Sequence, residues 1–127
     1  MKFARVVFGI AGIYGVLSLA PLYFTFGLAG RLDPPPINHP LYYYGIVGLG
    51  LVWQVAFLVI ATDPARYRPM MIPSILEKIS YVGAIAVLYD QGRVSKVPAA
   101  SGLPDALFAL LFAAAFVKTR GKRDGRG

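Results

Sequence analysis

The sequence predicts an all-α integral membrane protein, a four-helix bundle with both termini on the cytoplasmic side. Of its 127 residues, 57% are hydrophobic and only 15% are charged, which is more apolar than a soluble domain of this size usually is. Uncharged segments long enough to cross a bilayer alternate with short polar segments. One domain of four spans, at about residues 4–29, 41–62, 70–89 and 101–118, is the simplest arrangement.

Composition and charge also limit which ligands and partners the protein is expected to bind. The chain contains no cysteine, which excludes disulfides, thiolate metal sites and cysteine redox chemistry. Its formal charge of +7 comes from residues at the ends of apolar runs, so anionic lipid headgroups are expected as partners and nucleic acid is not. The lone histidine, His39, stands in a proline-rich polar segment without a set of further ligands, so neither a metal nor another cofactor is predicted.

The first span follows Lys2 and Arg5 and contains 25 uncharged residues, from Val6 to Gly30. A cleaved signal peptide is the alternative, but its apolar region is usually only ~7–15 residues long. Three small residues, Gly9, Gly12 and Gly15, predict that another helix approaches this one closely.

The second span, Leu41 to Thr62, has 22 uncharged residues and opens with three consecutive tyrosines, which are typical of the membrane–water interface. Glycines at 45, 48 and 50 indicate close packing. Gln54 lies well inside the span, and an amide in hydrocarbon is expected to have a hydrogen-bond partner.

A basic turn follows the second span. Asp63 and Pro64 form a helix-start signal, and Arg66 and Arg68 are expected at headgroup level. Lys78, further along, could extend its ammonium back to the same cytoplasmic surface. These three basic residues serve either as positive-inside anchors or, in the case of the arginines, as a specific phosphate-binding pair.

The third span, at about residues 70–89, begins either near Met70 or at Pro73. The first start places Glu77 about two turns inside the membrane, and the second leaves it near the surface. One predicted helix face is polar or small and should point into the bundle. Its members are Ser74, Glu77, Ser80, Tyr81 and Ala84.

The fourth span, at about residues 101–118, measures roughly 27 Å at 1.5 Å per residue, which is just enough to cross. Asp105 is expected in its first turn, near the outer surface. The tail, residues 119–127, is basic and glycine-rich, which predicts a disordered cytoplasmic segment.

Counting basic residues gives the orientation. With both termini inside, nine lysines and arginines lie on the inner side and three, Arg31, Arg93 and Lys96, on the outer side. The chain is therefore expected to be a multi-pass protein of the cell inner membrane.

Three polar side chains, Tyr14, Gln54 and Glu77, fall at a similar depth, roughly 10–15 Å from the inner ends of their helices. Together with Ser74 and Tyr81 they form a predicted polar cluster. Mutual hydrogen bonding, a structural role, would satisfy its members. Alternatively, Glu77 is the candidate catalytic residue, an acid–base group that transfers or carries a proton.

The whole chain resembles the small four-helix bacterial inner-membrane proteins grouped as DoxX-like. The resemblance rests on the glycine-rich first helix, the segment DPARYRPMMIPSILEK and the outer tyrosines. It implies the same four-span fold and carries no specific activity or catalytic residue.

Two classes of function follow. The first is a structural, accessory or lipid-binding bundle, without enzymatic activity, that associates with lipids, another membrane protein or a second copy of itself. The second is a membrane-embedded enzyme or carrier for an apolar, lipid-like ligand, with Glu77 as its acid–base group. A cavity beside Glu77 would favour the second class, and dry close packing there would favour the first.

Overall fold

The computed structural model describes residues 2–32, 38–94 and 96–120, and every regular element within those ranges is helical. Short 3-10 turns at Ala20–Phe24 and Arg68–Met70 lead out of the first long helix and into the third long helix. The α-helices are α1 (Lys2–Leu19), α2 (Phe26–Leu32), α3 (Pro40–Thr62), α4 (Met71–Asp90), α5 (Lys96–Ala100) and α6 (Gly102–Lys118). The tail residues 121–127 and most of the proline-rich segment lie outside the described residues.

Three helical stretches in the described part of the chain are long and apolar enough to cross a membrane. They are Lys2–Phe24, Pro40–Thr62 and Arg68–Asp90, each of 23 residues. The helix α6 is shorter, at 17 residues, but α5 precedes it almost without a break. The all-helical class and the apolar character of the long helices agree with the sequence prediction.

The long helices pack as two pairs. The helix α1 lies along α3, and α4 lies along α6; the pairs meet where α1 contacts α6, whereas α3 and α4 touch at few positions. Gly12 faces α3 so closely that an added Cβ would lie 2.9 Å from the carbonyl oxygen of Gln54. At Gly15 an added Cβ would overlap the Gln54 side chain. The predicted close approach of a helix to α1 is therefore confirmed at Gly12 and Gly15.

The glycines of α3 differ from one another. An added Cβ at Gly48 or Gly50 would lie 3.0 Å from Tyr23 or Leu19, respectively, so both positions are close contacts. Gly45 has open space beside it, so the prediction of close packing there is wrong. It lies at the start of α3, where the neighbouring tyrosines, and not the glycine, face the partner helix.

Phenylalanines from three helices form the centre of the core. The rings of Phe8 and Phe112 are stacked with centroids 4.1 Å apart, and Phe57 meets Phe112 edge to face at 4.9 Å. Met71 of α4 is fully buried against the same cluster. All of these residues lie in the half of the bundle that contains the beginning of α1 and the end of α6, so this half is the tightly packed one.

Basic residues tie the helix ends together in that half, here called the basic end. Arg5 donates a hydrogen bond to the carbonyl oxygen of Thr62 at 3.3 Å, and the Lys118 ammonium lies 4.5 Å from the centroid of the Phe3 ring. The beginning of α1 and the end of α6 are consequently neighbours, and both described ends of the chain lie at the same end of the bundle.

Arg68 connects the turn before α4 to the end of α6. Its guanidinium donates to the carbonyl oxygen of Phe116 at 3.0 and 2.8 Å, donates to the Thr119 hydroxyl at 3.2 Å, and stacks 3.7 Å above the Phe116 ring. The last carbonyls of a helix lack intrahelical donors, and a cation is favourable there. Of the two arginines expected at the lipid headgroups, Arg68 is thus engaged with its own protein, whereas Arg66 is exposed.

Aromatic residues gather at the opposite end. The Tyr43 hydroxyl donates to the carbonyl oxygen of Leu22 at 2.8 Å, and its ring meets Phe26 edge to face at 5.0 Å. Tyr44 stacks on Tyr23 at 5.9 Å, while Tyr42 stays exposed. Tyr43 and Tyr44 therefore hold the start of α3 against the α1–α2 connection.

The contrast between the two arginines gives a prediction. Arg68→Lys should destabilise the protein by about 1–3 kcal/mol, because lysine cannot reproduce a planar group that donates to one carbonyl twice while stacking on a ring. Arg66→Lys is the matched control and should change stability by less than about 0.5 kcal/mol. Thermal unfolding of purified protein in detergent measures both, and equal shifts would show that the Arg68 contacts carry no special weight.

Candidate functional site

A cavity of about 420 Å³ lies between the two helix pairs, in the half of the bundle away from the basic end. All four long helices contribute to its wall, which is predominantly apolar. Four small residues lie in the wall: Gly15 and Ser18 on α1, Gly50 on α3, and Ser101 before α6. The polar side chains of the wall are Tyr14, Gln54, Glu77, Lys78, Tyr81 and Asp105.

Four of the five residues in the predicted polar cluster border this cavity. They are Tyr14, Gln54, Glu77 and Tyr81. The fifth, Ser74, is buried one turn away and donates to the carbonyl oxygen of Met70 at 2.8 Å within its own helix. Ser74 does not belong to the cavity wall as described.

The contacts within the cluster differ from those predicted. Gln54 is 2% exposed, and its amide nitrogen donates to the Gly50 carbonyl oxygen at 2.8 Å. Its Oε1 has no hydrogen-bond partner in the described part of the chain. The side chain can occupy this position only because residue 15 is glycine, since a Cβ there would lie 1.9 Å from Oε1. A buried acceptor without a donor costs about 1–3 kcal/mol, so its position in a cavity wall is significant.

Lys78 stands at the centre of the polar wall. It is 3% exposed, its Nζ donates to Asp105 Oδ1 at 3.1 Å, and Glu77 Oε2 lies 3.8 Å away. The same nitrogen is 5.1 Å from the centroid of the Phe57 ring and 5.7 Å from that of Phe108. The sequence prediction that Lys78 extends to the cytoplasmic surface is not what the structure shows, because a carboxylate on α6 draws the ammonium inward.

The helical phase of α4 explains this difference. The buried residues of α4 are Met71, Ser74 and Lys78, a stripe at spacings of three and four. Ser80 and Ala84, which were assigned to the inward face, are exposed. The true inward face therefore passes through Lys78, and Glu77 lies at its edge.

The start of α4 fixes the position of Glu77 along its helix. The helix begins at Met71 and continues through Pro73 in its first turn, where proline removes no intrahelical hydrogen bond. Glu77 is therefore well inside the helix, and its side chain is 20% exposed. Glu77 Oε2 is buried and, among the described residues, makes no hydrogen bond. The early of the two helix starts considered from the sequence is the correct one.

Asp105 is the functional-site residue that sequence reasoning underestimated. It was expected near the outer surface, yet its side chain is only 17% exposed and holds the ammonium of Lys78. Both residues border the cavity. The signal that could have identified the pair was a basic residue in the middle of one span and an acidic residue in the first turn of the next.

The hydroxyl groups complete the rim. Tyr81 and Ser101 hydrogen-bond to each other at 3.0 Å, which joins α4 to the α5–α6 connection. The Tyr14 ring lies 5.7 Å from that of Phe108 and is itself partly exposed. Tyr14, Gln54 and Glu77 surround one space, but the hydrogen bonds in this part of the chain run to other partners, so the predicted mutual hydrogen bonding is not observed.

Comparison of the chain with protein-family models, with curated proteins and with solved structures found no match. What the site can do must be argued from its own chemistry. Its described wall combines an apolar surface with two carboxylates, one ammonium and two buried acceptor atoms that lack donors among the described residues. This combination suits a molecule with an apolar body and a small polar head.

The different roles of the two carboxylates give a prediction. Asp105→Ala should destabilise the protein by about 3 kcal/mol, because removal of one partner leaves a buried charge without its hydrogen bond. Glu77→Ala should cost less than about 1 kcal/mol, since the Lys78–Asp105 pair persists and is then neutral overall. Chemical unfolding in mixed micelles measures the difference. A larger loss for Glu77→Ala would mean that Glu77 is the principal counter-charge of Lys78.

Proposed function

We propose that the protein is a four-span inner-membrane bundle that binds a lipid-like amphiphile in the cavity between its helix pairs. The observation that carries the proposal is Gln54, a buried amide in the cavity wall with an acceptor atom that lacks a donor among the described residues. Close-packed membrane bundles satisfy such groups between helices, and an unsatisfied one is expected where a bound molecule completes the site.

Several features support the four-span arrangement with cytoplasmic termini. Three stretches have the length and composition of membrane spans, and the α5–α6 segment adds a fourth apolar helix. The beginning of α1 and the end of α6 are adjacent, as an even number of spans requires. Positive charge is concentrated at that end, which the positive-inside rule assigns to the cytoplasm.

The position of the cavity fits a ligand that enters from the membrane. The phenylalanine core fills the half next to the basic end, and the cavity occupies the other half, which this orientation places toward the outer leaflet. Ile46 at the rim is exposed, whereas Gln54 and Lys78 at the polar part are buried. An apolar chain would therefore contact the rim and lipid, and the polar head would reach Gln54 and Glu77.

A second candidate function is an enzyme or carrier that uses Glu77 as its acid–base group. One observation favours it: the Glu77 carboxylate borders the cavity, and its Oε2 makes no hydrogen bond within the described residues. In a purely structural bundle, a carboxylate oxygen without a hydrogen bond would not stabilise the fold. Binding is common to the amphiphile receptor and to the enzyme or carrier, so it is the function proposed first.

Headgroup contact at the cytoplasmic surface is a separate part of the proposal. Arg66 is exposed in the turn between α3 and α4, and its guanidinium lies 5.5 Å from the centroid of the Tyr67 ring. An anionic lipid near it would contribute about 1 kcal/mol and would be screened by salt. We propose this role for Arg66 and not for Arg68 or Lys78, because the latter two are held by Phe116 and Asp105.

The orientation is tested with reporter fusions. A reporter fused after Lys118 should signal the cytoplasm, and one inserted next to His39 should signal the opposite side. Removing the basic tail provides a control for the contribution of its charges to the positive-inside bias. Equal signals from the two positions would contradict a bundle with an even number of spans and cytoplasmic termini.

Binding is tested by filling the cavity. Ser18 is exposed, small and part of the wall, so Ser18→Phe should occupy the space without disturbing the core. Leu17→Phe is the matched control, because Leu17 is exposed and lies outside the wall. We expect single-chain amphiphiles to bind wild type and Leu17→Phe saturably in nanodiscs, and to bind Ser18→Phe at least about tenfold more weakly.

Native mass spectrometry or tryptophan fluorescence, with Trp53 as the only tryptophan, reports the binding. Saturable binding that is lost only in Ser18→Phe supports the proposal. If all three proteins take up amphiphile alike, the uptake is nonspecific and the proposal is wrong.

A further inference from the structure

We infer that the head of the ligand is a primary ammonium, so that the cavity selects cationic single-chain amines over neutral alcohols and carboxylates. This inference rests on the proposed function, because it specifies what the same cavity binds. It follows from the balance of charges and of hydrogen-bond donors in the described wall.

The charges of the wall do not balance. Glu77 and Asp105 are acidic, Lys78 is basic, and all three border the cavity. With each group in its ordinary ionisation state, the described wall has a net charge of −1. An unbalanced charge in a low-dielectric surrounding is unfavourable, and a ligand of charge +1 would restore two anions against two cations.

The described wall also has more hydrogen-bond acceptors than donors, which again favours a cationic head. Gln54 Oε1 and Glu77 Oε2 are acceptors that, among the described residues, receive no hydrogen bond. An ammonium brings three N–H donors and no acceptor, so it adds donors to a wall that has surplus acceptors. An ionised carboxylate brings only acceptors and would add to the surplus.

Lys78, the one cation of the described wall, and the Gln54 amide nitrogen already have partners. Lys78 donates to Asp105 at 3.1 Å, and the Phe57 and Phe108 rings cover it on another side. The amide nitrogen of Gln54 donates to the Gly50 carbonyl oxygen. An anionic head would meet Glu77 before it met a positive charge, and like charges repel in this surrounding. Tyr14 and Ser18 have hydroxyls that donate or accept, so they fit a head of either sign.

The remainder of the wall fits one alkyl chain. Leu19, Leu22, Ile46 and Val47 line the cavity, and Ile46 is exposed. An apolar chain on these residues would be removed from water and would continue into the lipid. The arrangement places the ammonium near Glu77 and Gln54 and the chain along α1 and α3.

Three ligands with the same chain separate the possibilities. Dodecylamine, dodecanol and dodecanoate are titrated at pH 7 into the full-length protein in nanodiscs of zwitterionic lipid, and uptake by Ser18→Phe is subtracted as nonspecific. We expect dodecylamine to bind at least about tenfold more tightly than dodecanol, and dodecanoate to bind more weakly than either.

The variant Glu77→Gln keeps the shape of the side chain and removes one negative charge. It should reduce the affinity for dodecylamine about tenfold and leave that for dodecanol nearly unchanged. Asp90→Asn is the matched control, because it removes one acidic charge from the exposed end of the same helix, outside the wall. It should preserve the preference for the amine.

Each outcome decides something. If dodecanol binds as tightly as dodecylamine, or dodecanoate binds most tightly, the ammonium inference is wrong while amphiphile binding stands. If no ligand binds wild type better than Ser18→Phe, the proposed function itself fails. The comparison of the three ligands uses the wild-type protein, so it remains informative even if Glu77→Gln does not fold.

Discussion

The buried ammonium of Lys78 is the constraint on which the polar part of the structure depends. A charge withdrawn from water requires counter-charges and hydrogen bonds inside the protein. Asp105 of α6 supplies the hydrogen bond, Glu77 lies nearby, and aromatic rings from α3 and α6 cover the rest. One ammonium thereby links three helices and fixes where the cavity meets the phenylalanine core.

The two halves of the bundle differ in packing: one has a filled aromatic core and the other contains the cavity. In the half at the basic end, large aromatic rings fill the interior, and Arg5 and Arg68 hold helix ends together. In the other half, a cavity of about 420 Å³ lies between the helix pairs. Since most of the packing lies elsewhere, the cavity wall can be changed without removing the core.

The glycines of α1 connect the two halves. Gly12 lets α3 approach until backbone nearly meets backbone, and Gly15 provides the room in which the Gln54 side chain lies. The position of the Gln54 side chain, which lines the cavity, therefore depends on the packing of α1 against α3.

The sequence by itself determined the helical class, the lengths and apolar character of the long helices, and the close contacts of α1 at Gly12 and Gly15. These properties follow from composition and from spacing along single helices. Only the tertiary structure decided the partners. Which face of α4 points inward, the burial of Lys78 and the engagement of Arg68 all depend on α6. Lys78 and Asp105 are 27 positions apart, and Arg68 and Phe116 are 48 apart, so no periodic pattern in the sequence shows these contacts. Lys78 was therefore predicted to extend to the surface, because its counter-charge on α6 could not be identified.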